Sequence, residues 1–80
     1  MRDMTFQDKQ NALEALERAI SLIGGVSDTA RAVEVARRTI YNWRETGSIP
    51  PAKARLIEEI TNSAVTAFEF RPDVFKAPSK

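Results

Sequence analysis

Glycine and proline punctuation constrains this chain most. Gly24-Gly25 and Gly47, the latter followed by Pro50-Pro51, are poorly tolerated inside a helix, so no helix runs through either point and the helices between them must be short. Before the first stop, residues 8–23 place Leu13, Leu16, Ile20 and Ile23 at helical spacing, with Lys9, Glu14, Glu17 and Arg18 between them. This predicts a first helix with one inward stripe, which Thr5 and Asp8 can cap. Ser27 offers an N-cap for a second helix reaching about Val33, with Ala30 and Val33 inward and Asp28 near its positive end. After a break at 34–36, a third helix from Arg37 to about Glu45 turns Ile40 and Trp43 toward the core. Gly47 closes it. Pro50 and Pro51 fit the start of a fourth helix over 51–60, whose broad apolar face carries Ala54, Leu56, Ile57 and Ile60.

Beyond residue 60 the pattern is ambiguous. Thr66 and Glu69 have the spacing of a capping box, which predicts a helical turn, but Val65 to Phe70 also reads as a short strand with Phe68 and Phe70 on one side. Pro72 ends either one, and residues 76–80 are expected to form a disordered tail. The fold class expected is all-α, four to five helices, in one domain spanning 1–75.

With 80 residues the core is thin and an enzymatic cleft is hard to build. The chain has no Cys and no His, which removes disulfides, thiolate nucleophiles, Cys/His zinc sites and imidazole catalysis together. No metal, cofactor or small-molecule substrate is expected, and the chain does not read as an enzyme. It has neither an apolar run long enough to span a membrane nor the apolar core of a signal peptide, and is expected to be cytoplasmic. Net charge is only +1, but residues 26–55 hold Arg31, Arg37, Arg38, Arg44, Lys53 and Arg55 against Asp28, Glu34 and Glu45, so the middle is locally +3.

Two short helices joined by a tight turn form the helix-turn-helix pattern. Ala30 supplies the small residue where the helices cross, while Val35, Ile40 and Trp43 anchor the turn and the second helix. Arg37, Arg38, Tyr41, Asn42 and Arg44 are left to face outward.

At these residues the chain resembles the Cro-like helix-turn-helix regulators of phages and prophages, especially the YdaS-type antitoxin/Cro branch. The resemblance runs over about 12–75, through "AISLIGG", "SDTARAVEVARRTIYNW", "GSIPPAKARLIEEIT" and "VTAFEFRPDVF". The "VTAFEFRPDVF" stretch is its most specific part. It implies a lambda-repressor-like fold, bacterial or phage origin, and a repressor that binds double-stranded DNA as a homodimer at a pseudo-palindromic operator. Its half-sites would lie one helical turn, about 34 Å, apart. Two positions depart from the pattern. Glu34 stands where such turns carry Gly, so either Glu34 adopts a strained positive φ or the turn is built differently. Val26 stands where Gln commonly contacts phosphate.

On this reading Arg37 and Arg38 reach guanine edges or phosphates, against the plain reading of a solvated pair. Tyr41 contacts a thymine methyl or a phosphate, or is partial core; Asn42 pairs with adenine. Ser27, Thr29, Arg31, Arg44 and Lys53 are the candidate phosphate contacts, with Arg55 beside them, although capping, dipole stabilisation and solvation account for several equally well. Leu56, Phe68, Phe70, Val74 and Phe75 are either a self-association surface or a tail that packs back onto its own domain. The alternative function is an antitoxin-like module that neutralises a protein partner. It would favour apolar anchors on the third helix, where this chain places two arginines.

Overall fold

The structure is a computed structural model and describes residues 3–76. Five helices follow one another: α1 (Phe6–Ile23), α2 (Val26–Ala32), α3 (Arg37–Thr46), α4 (Pro51–Ile60) and α5 (Ala67–Phe70). There is no strand among the described residues. The disordered tail expected over 76–80 falls, apart from Lys76, outside them.

Thr5 opens α1 with a reciprocal capping box: its hydroxyl accepts the Asp8 N–H at 3.1 Å, and the Asp8 carboxylate accepts the Thr5 N–H at 3.0 Å. The cap lengthens α1 by two residues over the periodicity alone. The buried stripe is made by Ala12, Ala15, Leu16, Ala19 and Ile20, while Leu13 and Ile23 stay half-buried, a correction to the stripe expected from leucine and isoleucine spacing. Three alanines let the other helices approach α1 closely, and Leu16 and Ile20 supply the large side chains of the same stripe.

The stop at Gly24-Gly25 uses φ values of 124° and 117°, with both N–H groups donating to the Ile20 carbonyl. Gly25, not Ser27, is the N-cap of α2; Ser27 lies inside the helix and makes no capping bond. The side chain that engages this end is Thr29, fully buried, whose hydroxyl donates to the Gly25 carbonyl at 2.7 Å.

The turn after α2 is a Schellman motif: Val35 N–H donates to the Ala30 carbonyl at 2.9 Å and Glu34 N–H to the Arg31 carbonyl at 3.3 Å. That pattern requires a left-handed residue between them, and Glu34 supplies it with φ 60°. The strained alternative is therefore the one adopted. A second motif of this kind ends α4, with Asn62 at φ 54° and Ser63 N–H donating to the Glu58 carbonyl at 2.8 Å.

α3 buries Ile40 and Trp43, and Gly47 closes it in the left-handed region. Between Gly47 and the Pro50 N-cap, Ile49 is fully buried. α4 buries Ala54 and Ile57, but Leu56 is only half-buried and Ile60 is exposed, so its apolar face is narrower than the sequence implies. The segment after α4 resolves as a helix. Thr66 and Glu69 form the capping box, and the Glu58 carboxylate accepts the Ala67 N–H at 2.6 Å. α5 packs on α1 and α4 and sinks Phe70 completely into the core beside Val65.

Candidate nucleic-acid interface

Packing α2 and α3 against α1 leaves one face of α3 uncovered. Arg37, Arg38, Tyr41 and Asn42 are all exposed and fall within an arc of about 140° at 3.6 residues per turn, opposite Ile40 and Trp43. Glu45 lies on the same arc toward the C-terminal end. Ala36 caps α3 without any side-chain bond, and its first turn contains no acid. Arg37 and Arg38 therefore sit at the positive end of the helix dipole, and neither has a hydrogen-bond or ion-pair partner among the described residues.

On α2, Ser27 and Arg31 share the exposed side at i, i+4 spacing. The Arg31 side chain is 81% exposed and meets Asp28 only at 3.7 Å. Thr29 does not join them. Its buried hydroxyl is committed to the Gly25 carbonyl, which withdraws it from the phosphate set.

Two further candidates are committed inside the protein. The Lys53 ammonium donates to the Val33 carbonyl at 2.8 Å, tying α4 to the end of α2 beside the strained Glu34. The Arg44 guanidinium holds Glu17 of α1 through two bonds, 2.8 Å from Nε and 3.0 Å from Nη2, and lies over the Tyr41 ring at 5.8 Å. Its bond to Glu17 raises Arg44 above its ordinary value, burial opposes this, and the charge of Glu17 adds to it. Arg55, exposed, lies 5.9 Å from the centre of the Phe75 ring.

The apolar set near the C-terminus separates as well. Phe70 is core and cannot serve a second copy. Leu56 and Phe75 are partly buried against the core, Phe68 is half-buried and Val74 is exposed. Arg71, Pro72 and Asp73 lie within "VTAFEFRPDVF", the most specific part of the resemblance. In the structure the Arg71 guanidinium grips Asp73 at 3.0 and 2.7 Å and donates to the Ile49 carbonyl at 3.3 Å. The C-terminal segment is thereby fastened to the loop that follows α3. Among the described residues no cluster of His, Cys, Asp or Glu could hold a metal ion, and no helix is long and apolar enough to cross a membrane.

Residues 16–79 match the model of a family described as "Bacterial toxin YdaS". The chain belongs to this family. Its fold is also that of a Cro protein from prophage element Xfaso 1 in Xylella fastidiosa strain Ann-1, with a TM-score of 0.75 and 43% sequence identity over 79% of this chain and 97% of that one. No curated protein matches the chain at a comparable level. The YdaS-family chain is thus a Cro-like helix-turn-helix protein, helical without strands over the described residues, and this likeness supports a regulator. The toxin of the family's description and the Cro protein of the structural neighbour point to different roles.

Proposed function

We propose that this YdaS-family protein is a sequence-specific double-stranded DNA-binding regulator of the Cro type, with α3 in the major groove. Arg37, Arg38, Tyr41 and Asn42 face the base edges, and Ser27 and Arg31 meet the sugar-phosphate backbone as α2 crosses it. Two copies on a pseudo-palindromic operator, repressing transcription, complete the reading. The exposed Val74 and the edges of Leu56, Phe68 and Phe75 are one apolar surface available to a second copy.

One observation carries the proposal. Arg37 and Arg38 stand side by side, without partners among the described residues, at the helix end where a cation costs stability. Folding gains nothing from them there, whereas an incoming polyanion would satisfy both. A local rule broken without a structural return is the pattern expected of a functional position.

The test is selection from random duplex DNA, followed by salt titration of the enriched sequence with the parent protein and an Arg37→Ala/Arg38→Ala variant. The parent should enrich a palindrome and lose affinity steeply with salt. The variant should melt at an equal or higher temperature and lose about 1–3 kcal/mol of base discrimination per guanine-reading arginine. Unchanged affinity in a folded variant would overturn the groove contacts.

A further inference from the structure

Tyr41 is half-exposed on the outer side of α3, with no core packing to hold its outer edge. An exposed helical tyrosine ordinarily has two χ1 wells open to it. Here the Arg44 guanidinium covers one side of the ring at 5.8 Å, and Arg44 is itself fixed by the two-pronged bond to Glu17 on α1. α1 is the longest helix and carries five core residues, so the scaffold reaches the face of α3 through a chain of side chains: Glu17, Arg44, Tyr41.

We propose that Glu17 and Arg44 are positioning residues that hold Tyr41 in one orientation for reading DNA, rather than groups that touch DNA or chiefly stabilise the fold. The inference rests on α3 being the reading helix. The prongs of Arg44 that would grip a phosphate are occupied by Glu17, which argues against a direct contact. A solvent-exposed ion pair, with the two side chains 35% and 54% exposed, adds little to stability. What it does supply is order before binding: a side chain already restrained in the free protein does not lose that freedom when DNA arrives.

Two variants separate these roles. Glu17→Gln keeps the shape but offers one acceptor oxygen in place of two; Arg44→Lys keeps the charge but loses the planar fork. Tyr41 χ1 couplings and the ring-current shift of the Arg44 side-chain protons, measured by NMR in the free protein, should report a single Tyr41 rotamer in the parent. Both variants should show averaging of Tyr41, and Glu17→Gln a loss of the Arg44 shift. In selection from random duplex DNA, both should lose about two- to tenfold of discrimination at the base pair whose preference Tyr41→Phe and Tyr41→Ala alter. Binding to non-specific duplex at low salt and the melting temperature should hardly move. Unaveraged Tyr41 couplings in the variants would overturn the inference, as would undiminished discrimination at that base pair. A parent protein that enriches no sequence would instead overturn the reading of α3 itself.

Discussion

Glu34→Gly should make this protein more stable, and the gain can be worked from the backbone. Glu34 occupies φ 60° because the Schellman motif ending α2 needs a left-handed residue there. An L-residue pays about 1–2 kcal/mol for that conformation. Glycine pays nothing for it, but is freer in the unfolded chain by roughly 0.5–1 kcal/mol, so the net gain should lie between about 0 and 1.5 kcal/mol. At the middle of that range, for a domain of this size, it is roughly a 3–6 °C rise in melting temperature, measurable by circular dichroism at 222 nm. Charge is the competing cause, since a carboxylate close to the C-terminal end of α2 is itself unfavourable. Glu34→Ala separates the two: it removes the carboxylate and keeps the Cβ, and should recover only a few tenths of a kcal/mol. Without strain, Gly should fall below Ala by the freedom it gains in the unfolded chain, about 0.5–1 kcal/mol, and that result would refute the strain argument.

Gly47→Ala should act in the opposite direction. The left-handed φ of 67° is joined there by crowding, because an added Cβ would lie 3.1 Å from both the Cβ and the backbone oxygen of Lys9. A loss of about 2 kcal/mol or more is expected in urea unfolding, and a neutral result would mean that α1 yields at Lys9. The Glu69 carboxyl is pushed up by burial, but the Thr66 N–H and the Arg18 guanidinium outweigh this and leave it below its ordinary value of 4.5. Its contribution is therefore present above the unfolded-state value and lost as pH falls through the lowered folded-state value. Melting curves taken from pH 6 to pH 2 should converge for the parent and Glu69→Gln at the acid end, whereas parallel curves would exclude the linkage.

Helix order was legible because its signals are local. Gly24-Gly25, Gly47 and Pro50-Pro51 mark where the chain cannot continue a helix, and Leu16, Ile20, Ile40 and Trp43 reach the core as their spacing implies. What the pattern hides is burial that depends on distant chain. Ile49 sits alone between two turn residues and has no period to reveal it, yet it is fully buried. Ala12, Ala15 and Ala19 read as helix formers rather than core until α1 is seen to be covered by α2, α3 and α5. Phe70 reads as surface or core until α5 exists, and the four-residue helix that buries it depends on Glu58 reaching across to the Ala67 N–H.

The candidate site divides along the same line. Periodicity alone places Arg37, Arg38, Tyr41 and Asn42 opposite Ile40 and Trp43, so their exposure follows once α3 is correctly phased. No local rule separates Arg44 and Lys53 from them, because each long cation finds its partner far along the chain, at Glu17 and at the Val33 carbonyl. Composition counts all of these as basic surface, yet a cation tied closely to a carboxylate or held inside the fold reaches a phosphate less readily than one whose side chain extends into solvent. The locally basic middle of the chain is therefore a poor measure of binding strength. Arg31, Arg37 and Arg38 should dominate the salt dependence of DNA binding, and each one that neutralises a phosphate should contribute about 0.9 to its slope. Lys53→Met should leave that slope unchanged, because the ammonium it removes is bound to the turn between α2 and α3. A slope lowered by a full phosphate would show that Lys53 leaves Val33 for the DNA backbone.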